Sequence, residues 1–167
     1  MVFQRAYRNA AKLIAEGNDP LRLICDRAHE KGLLVYPSLQ LPIALHRDQD
    51  RVLTIGAAGA APDEASGQAD YAQRAVRDQR LAIIAEAVAN YPLDGFELNF
   101  SFYGRSHFFH PDQVENGRGI MTDWLAAVRD VVKKGNPDRE LAVRIGTSID
   151  GALAAGLDPV AWMQQGL

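Results

Sequence analysis

YPLDGFELNFSFYGRSHFFHPD, residues 91–112, joins a short apolar strand to a loop rich in aromatic residues and histidine. Successive side chains of a strand point to opposite faces. One face of the strand at 94–100 is apolar and consists of Phe96, Leu98 and Phe100. The other face is small or polar and consists of Gly95, Glu97, Asn99 and Ser101. The strand is therefore expected to pack one face against helices and to turn a carboxylate toward the opposite side.

Helices and further strands alternate on both sides of this stretch. Short, largely apolar segments predict strands at 33–39, 94–100 and 140–146. Amphipathic segments predict helices at 3–17, 18–32, 73–91, 121–135 and 158–166. Strands that alternate with helices of this size are typical of βαβ units and of a parallel sheet. The predicted fold class is therefore α/β with parallel βα repeats.

Capping residues and apolar stripes predict how two of the helices begin and pack. Asn18 or Asp19 is expected to cap the second helix, with Pro20 in its first turn. Its expected apolar stripe consists of Leu21, Ile24 and Ala28. Thr122 is the expected cap of the helix at 121–135, after a long loop at 101–120. The expected inward residues of this helix are Trp124, Leu125, Val128 and Val132.

Loop lengths favour one of the two architectures that fit this order, an open doubly wound sheet and part of a (β/α)8 barrel. The strand-to-helix connections at 41–70, 101–120 and 147–157 are long, and function lies at the carboxyl ends of the strands in both folds. A G-x-G-x-x-G or P-loop motif, which often marks the open sheet, is absent. The barrel fits better, and residues 1–167 are expected to be a single domain, the middle portion of a TIM barrel with about three of its eight strands.

Composition excludes several classes of protein. The net charge is -3 and the basic residues are scattered, so no nucleic-acid partner is expected. No apolar run is long enough for a membrane span and no signal-peptide core is visible, so a soluble protein without a membrane partner is expected, although a targeting signal upstream would be invisible. The single cysteine, Cys25, is expected to be a buried thiol. Localisation and oligomeric state stay open.

Glu97 is the residue of the central strand that most needs an explanation. Burying a carboxylate costs several kcal/mol unless it is paired. Arg144 falls on the corresponding face of the next strand and could form a buried ion pair with Glu97. Glu97 could instead contact a substrate, or act as a general acid with a raised pKa or as a nucleophile. Polar side chains near the carboxyl end of the first strand could line the same site, namely Tyr36, Ser38 and Gln40.

The chain resembles the glycosyl-hydrolase-like TIM-barrel proteins in four stretches. The most specific is the helix and strand passage AVRDQRLAIIAEAVANYPLDGFELNF. The others are DPLRLICDRAHEKGLLVYPSLQL before it and LAVRIG and GLDPVAWMQQGL after it. The resemblance covers roughly residues 18–167 and implies a barrel with carbohydrate-directed chemistry. Two positions depart from that family. Asn99 stands where relatives commonly carry Asp, and the Arg that often follows the strand is displaced to Arg105. In chitinase-like barrels the proton-donating Glu falls at the position of Ser101.

Further candidate residues lie in the long loops. His107, His110 and Asp112 could bind a metal, but this spacing is a weak signal and neither a metal nor any cofactor is predicted. Aromatic side chains around them could face a sugar ring or simply pack over the barrel mouth, namely Phe102, Tyr103, Phe108 and Phe109. Asp150 could supply a second carboxylate near Ser148. His46, Asp48 and Asp50 are expected to be solvated.

Three functions are compatible with these residues. The leading hypothesis is a carbohydrate-active enzyme in which Glu97 is catalytic or anchors the substrate, Asn99 contacts a hydroxyl and Arg144 tunes Glu97. The other residues expected to contact a carbohydrate or another small polar substrate are Tyr36, Ser38, Gln40, Ser101, Tyr103, Arg105, His107 and Asp150. A non-catalytic carbohydrate-binding barrel and a metal-dependent hydrolase are the alternatives.

Overall fold

A three-stranded parallel sheet lies at the centre of the chain, in the order β1-β2-β3. The computed structural model describes residues 2–42, 68–101 and 107–167. The strands are β1 (Ser38–Gln40), β2 (Gly95–Asn99) and β3 (Glu140–Arg144). The helices are α1 (Val2–Ala15), α2 (Pro20–His29), α3 (Arg74–Asn90), α4 (Val114–Lys133), α5 (Ile149–Ala154) and α6 (Pro159–Gln164), with a 3-10 turn at Pro111–Gln113. The predicted α/β class with a parallel sheet is confirmed.

Strand register aligns the side chains of the sheet in rows. Ser38 pairs with Glu97, and Glu97 pairs with Ala142 in the next strand. One row nearer the carboxyl end, Asn99 pairs with both Gln40 and Arg144. Because paired residues of neighbouring strands point to the same face, all of these side chains share one side of the sheet. We call this side the polar face.

The opposite side of the sheet forms the core. Phe96, Leu98 and Phe100 are all buried there, as the alternation predicts. Helices α3 and α4 pack against each other and cover this side. All inward residues predicted for α4 are buried, namely Trp124, Leu125, Val128 and Val132. Each fully buried side chain of this size contributes roughly 1.5–3 kcal/mol to folding, so this layer holds the strands in place.

The beginning of α2 follows the prediction, whereas its buried stripe does not. The Asp19 carboxylate accepts hydrogen bonds from the backbone N–H groups of Leu21 (2.9 Å) and Arg22 (3.1 Å), which identifies the cap. Cys25 is fully buried, as expected. Ile24, however, is 59% exposed, so its place in the stripe was wrong. The buried side of α2 runs through Leu21, Cys25 and Ala28, the i, i+4, i+7 face next to Ile24.

The strand predicted at 33–39 is also corrected, since β1 begins only at Ser38. Leu33 and Leu34 are 57% and 69% exposed, so the segment is not covered on both faces. The N–H of Val35 donates to the Asp94 carboxylate (2.7 Å), and Pro37 has no N–H to donate. A regular ladder is therefore established only beyond the proline.

Helix α4 begins at Val114, well before the predicted start, so Thr122 is not a cap. Thr122 is buried in the helix interior, where its hydroxyl donates to the Arg118 carbonyl (2.8 Å) and accepts from Trp162 Nε1 (3.0 Å). Two glycines in the first half of α4 lower its helix propensity, which is why the sequence favours a loop there. Helix α5 likewise forms within the predicted loop at 147–157.

No helix in the part of the chain that the structure describes combines the length and the apolar character needed to cross a membrane.

Candidate functional site

The polar face centres on the Glu97 carboxylate, which accepts a hydrogen bond at each of its oxygens. Ser38 Oγ donates to Oε1 over 2.6 Å. Arg144 Nη2 donates to Oε2 over 2.9 Å and forms an ion pair with the same oxygen. The three residues lie on three neighbouring strands, so the sheet itself sets this arrangement. We call Ser38, Glu97 and Arg144 the Glu97 cluster.

The Glu97 cluster is more open than the buried ion pair that the sequence suggested. The Glu97 side chain is 20% exposed and the Arg144 side chain 60% exposed. The pairing itself is confirmed, and its burial is not. A charge-assisted hydrogen bond to one oxygen and a hydroxyl bond to the other hold the carboxylate in one orientation. An ordered carboxylate that solvent can still reach is suited to meeting a polar ligand.

The same hydrogen bonds lower the pKa of Glu97 below its usual value of 4.5, and the bond from Arg144 contributes most, followed by the bond from Ser38. Glu97 is therefore ionised at neutral pH. A general acid needs a raised pKa, so the general-acid role expected from burial does not fit this state of Glu97. An ionised carboxylate fits a nucleophile, a base or an anchor for hydroxyl groups.

Replacing either donor should raise the pKa of Glu97. We expect Arg144→Gln to raise it more than Ser38→Ala, because Arg144 is the larger contributor. A carboxylate whose pKa is lower in the folded state than in the unfolded state stabilises the fold at any pH above its unfolded-state pKa. This contribution is lost as the pH falls through its folded-state pKa. The stability difference between wild type and Arg144→Gln should therefore shrink in acid. NMR titration of the Glu97 carboxyl carbon measures the shift directly, and an unchanged pKa in Arg144→Gln would contradict the ion pair.

Two amide side chains lie in the row beyond the Glu97 cluster, at the carboxyl ends of β1 and β2. Asn99 Oδ1 accepts a hydrogen bond from the Ser101 backbone N–H over 2.9 Å. Among residues 2–42, 68–101 and 107–167, the Asn99 amide nitrogen and the Gln40 side chain have no hydrogen-bond partner. Both side chains therefore have hydrogen-bonding capacity left for a ligand.

Tyr36 is directed away from Asn99 and Gln40. This corrects its expected place near the carboxyl end of the first strand. Its hydroxyl donates to Glu140 Oε2 over 2.7 Å, and Glu140 is the first residue of β3. The ring lies over Gly95, where an added Cβ would be 2.2 Å from Tyr36 Cε1. Tyr36 and Glu140 thus satisfy one another at the amino end of the sheet.

A separate cavity of about 520 Å³ lies beyond the carboxyl ends of β2 and β3. Its wall includes Phe100, Ser101, His107, Phe108, Thr147 and Ser148. Ser101 and His107 therefore lie at this cavity and not in the Glu97 cluster. Thr147 was missed by the sequence analysis, although its position just after a strand was a usable signal. Asp150 is exposed on α5, and no hydrogen bond or ion pair joins it to Glu97.

The histidine loop holds a core contact and a surface pair. Phe108 and Phe109 are fully buried, so of the two alternatives for these rings, packing accounts for them and contact with a sugar does not. His110 Nδ1 contacts an Asp112 carboxylate oxygen at the surface. Within the described ranges, no group of three or more His, Cys, Asp or Glu side chains is placed to hold a metal ion. The remaining candidates lie outside the described residues, namely His46, Asp48, Asp50, Phe102, Tyr103 and Arg105.

Comparison of the chain with protein-family models and with curated protein sequences finds no match.

Proposed function

We propose that this chain is part of a (β/α)8 barrel and that it is a carbohydrate-active enzyme resembling glycoside hydrolases. The order of the strands supports the barrel, because each parallel strand lies beside the next one in sequence and consecutive helices cover the same side. The polar face would then line the barrel interior. The observation that carries the function is the Glu97 carboxylate, oriented by Ser38 and Arg144 on that face.

The ionised state of Glu97 decides which chemical role it takes. In retaining glycoside hydrolysis a carboxylate attacks the sugar while a second carboxyl group protonates the leaving oxygen, about 5–5.5 Å away. The lowered pKa of Glu97 suits the attacking carboxylate and not the proton donor. Asn99 and Gln40 supply amide groups in the next row, where they would bind sugar hydroxyls. In the free protein, Arg144 keeps Glu97 charged and oriented.

A non-catalytic carbohydrate-binding protein is the second candidate, and one observation favours it. Of the two glutamates on the described polar face, Glu140 is held by Tyr36 at the amino end, so Glu97 has no neighbouring carboxyl group on the part of this face that the structure describes. Hydrolysis by the two-carboxylate route needs both. Binding needs only the ordered hydrogen-bonding groups of this face.

Incubation of the purified chain with a panel of glycans and aryl glycosides separates the two candidates. For the enzyme we expect release of reducing sugar or aryl alcohol, and for the binding protein we expect saturable binding with no product. Calorimetry on the same panel reports binding independently of turnover. Neither binding nor product with any member of the panel would contradict both candidates.

A further inference from the structure

Arg144 carries more hydrogen-bond donors than its contacts with the described residues use. Among residues 2–42, 68–101 and 107–167, only its Nη2 is engaged, by Glu97, and its side chain is 60% exposed. A guanidinium has five N–H donors in a planar fork that matches a carboxylate at two points. One contact to Glu97 therefore leaves most of that recognition capacity facing solvent.

The electrostatic surroundings of Arg144 depend on one group. Across the described parts of the chain, Glu97 is the one carboxylate within ion-pair distance of Arg144. The same carboxylate raises the pKa of the Arg144 guanidinium through its hydrogen bond and its charge. Glu140 begins the same strand, about 13 Å away along β3 at the rise of a parallel strand. Any second negative charge that reached Arg144 would thus compete with Glu97 alone.

The neighbours of Arg144 in its row carry no charge. Asn99 is its register partner, and Gln40 is the partner of Asn99. Their amide nitrogens can donate, so the row presents a cation at one end with two hydrogen-bond donors beside it. Such a row is complementary to a ligand that combines a carboxylate with hydroxyl groups.

We propose that Arg144 binds the carboxylate of an acidic sugar, and that this carboxylate displaces Glu97 from the ion pair. The inference rests on the proposed carbohydrate function and specifies its substrate class. A carboxylate is preferred over other anions because the guanidinium already holds one in the free protein.

Displacement would change the state of Glu97 at the moment of binding. Arg144 makes the largest contribution to the lowered pKa of Glu97. A bound carboxylate that took this donor away would add a second negative charge nearby, and both changes raise the pKa of a carboxyl group. Glu97 would then accept a proton more readily with an acidic sugar bound than in the free protein.

A matched pair of ligands tests the proposal without any turnover. Methyl β-glucuronide and methyl β-glucoside differ only in a carboxylate against a hydroxymethyl group. We expect calorimetry at low ionic strength to show the glucuronide binding at least about tenfold more tightly, a difference of roughly 1.4 kcal/mol. Equal affinity for the two ligands would overturn the proposal and leave carbohydrate binding intact.

Variants of the row locate the effect. Arg144→Gln should abolish the preference for the glucuronide, and Asn99→Asp should weaken glucuronide binding by placing a negative charge beside Arg144. Glu97→Gln should tighten glucuronide binding, because it removes the competing carboxylate. Arg74→Gln is the control, since Arg74 lies on the surface of α3 in an ion pair with Asp78. A preference that survives in Arg144→Gln would overturn the proposal.

Two further ligands distinguish a failure of the acidic-sugar proposal from a failure of the proposed carbohydrate function. Glucose 6-phosphate binding more tightly than the glucuronide would overturn the choice of a carboxylate. Acetate binding as tightly as the glucuronide would leave the carboxylate site at Arg144 supported, while removing the sugar from the proposed function.

Discussion

Glu97→Gln is expected to lower turnover of any glycoside substrate by at least about 10²- to 10⁴-fold, the range that general acid–base catalysis alone contributes. The amide has nearly the same shape, so its single oxygen can still accept from Arg144, while its NH2 group can donate to the Ser38 hydroxyl. It has no negative charge, however, and can neither attack a sugar nor take up a proton. The fold should therefore persist while the chemistry is lost. Initial rates with the best substrate from the glycan panel measure the effect.

Glu86→Gln is the matched control for this experiment. Glu86 is exposed on α3, and the same exchange of a carboxylate for an amide there leaves the polar face untouched. Circular dichroism on both variants shows whether the fold is retained. Full activity in Glu97→Gln would remove Glu97 from the catalytic role. Carbohydrate affinity that is retained or increased in Glu97→Gln, together with the absence of product in the wild type, would favour the binding protein.

Phe109→Ala is expected to destabilise the chain by about 3–5 kcal/mol, as is usual when a buried aromatic ring is deleted. Phe109 is 1% exposed and lies against two glycines. A Cβ added at Gly117 or at Gly156 would lie 2.5 Å from Phe109 Cδ2. The ring thus joins α4 to the turn after α5, and its loss would open a cavity between them. Denaturant unfolding measures the change in free energy.

The two glycines of α4 provide a test with opposite signs. Gly119→Ala meets nothing within 4 Å and should stabilise the helix by roughly 0.5–1 kcal/mol. Gly117→Ala gains the same propensity but drives a methyl group into Phe109, and overpacking of this kind costs roughly 1–3 kcal/mol. In the Phe109→Ala background Gly117→Ala should become harmless. Equal effects at the two glycines would show that the ring does not require Gly117.

Much of the Glu97 cluster could be predicted from the strand pattern. Alternation in β2 puts Glu97 and Asn99 on one side, and the same alternation in β3 brings Arg144 to that side. The parallel register then places Arg144 one row beyond Glu97, within reach of its carboxylate. The exposure of the pair could not be predicted, because it depends on what covers the polar face. The lowered pKa of Glu97 follows from this openness together with its two donors.

The sequence by itself determined the alternation of helices and strands, the α/β class and the buried face of α4. These features depend on local periodicity and capping, as at Asp19 and Pro20, and a single segment is enough to specify them. It also determined which residues of β2 share a face, since that follows from the geometry of any extended chain.

Only the tertiary structure decided the start of α4, the interior place of Thr122 and the burial of Phe108 and Phe109. In each case a contact distant in sequence overrides local preference. Gly117 is a poor helix residue that α4 accepts because an aromatic ring needs the space. Trp162 likewise reaches the Thr122 hydroxyl from 40 residues away, and no local pattern encodes that bond. Packing across the core, which sums contacts over the whole fold, outweighs propensities of less than about 1 kcal/mol per residue.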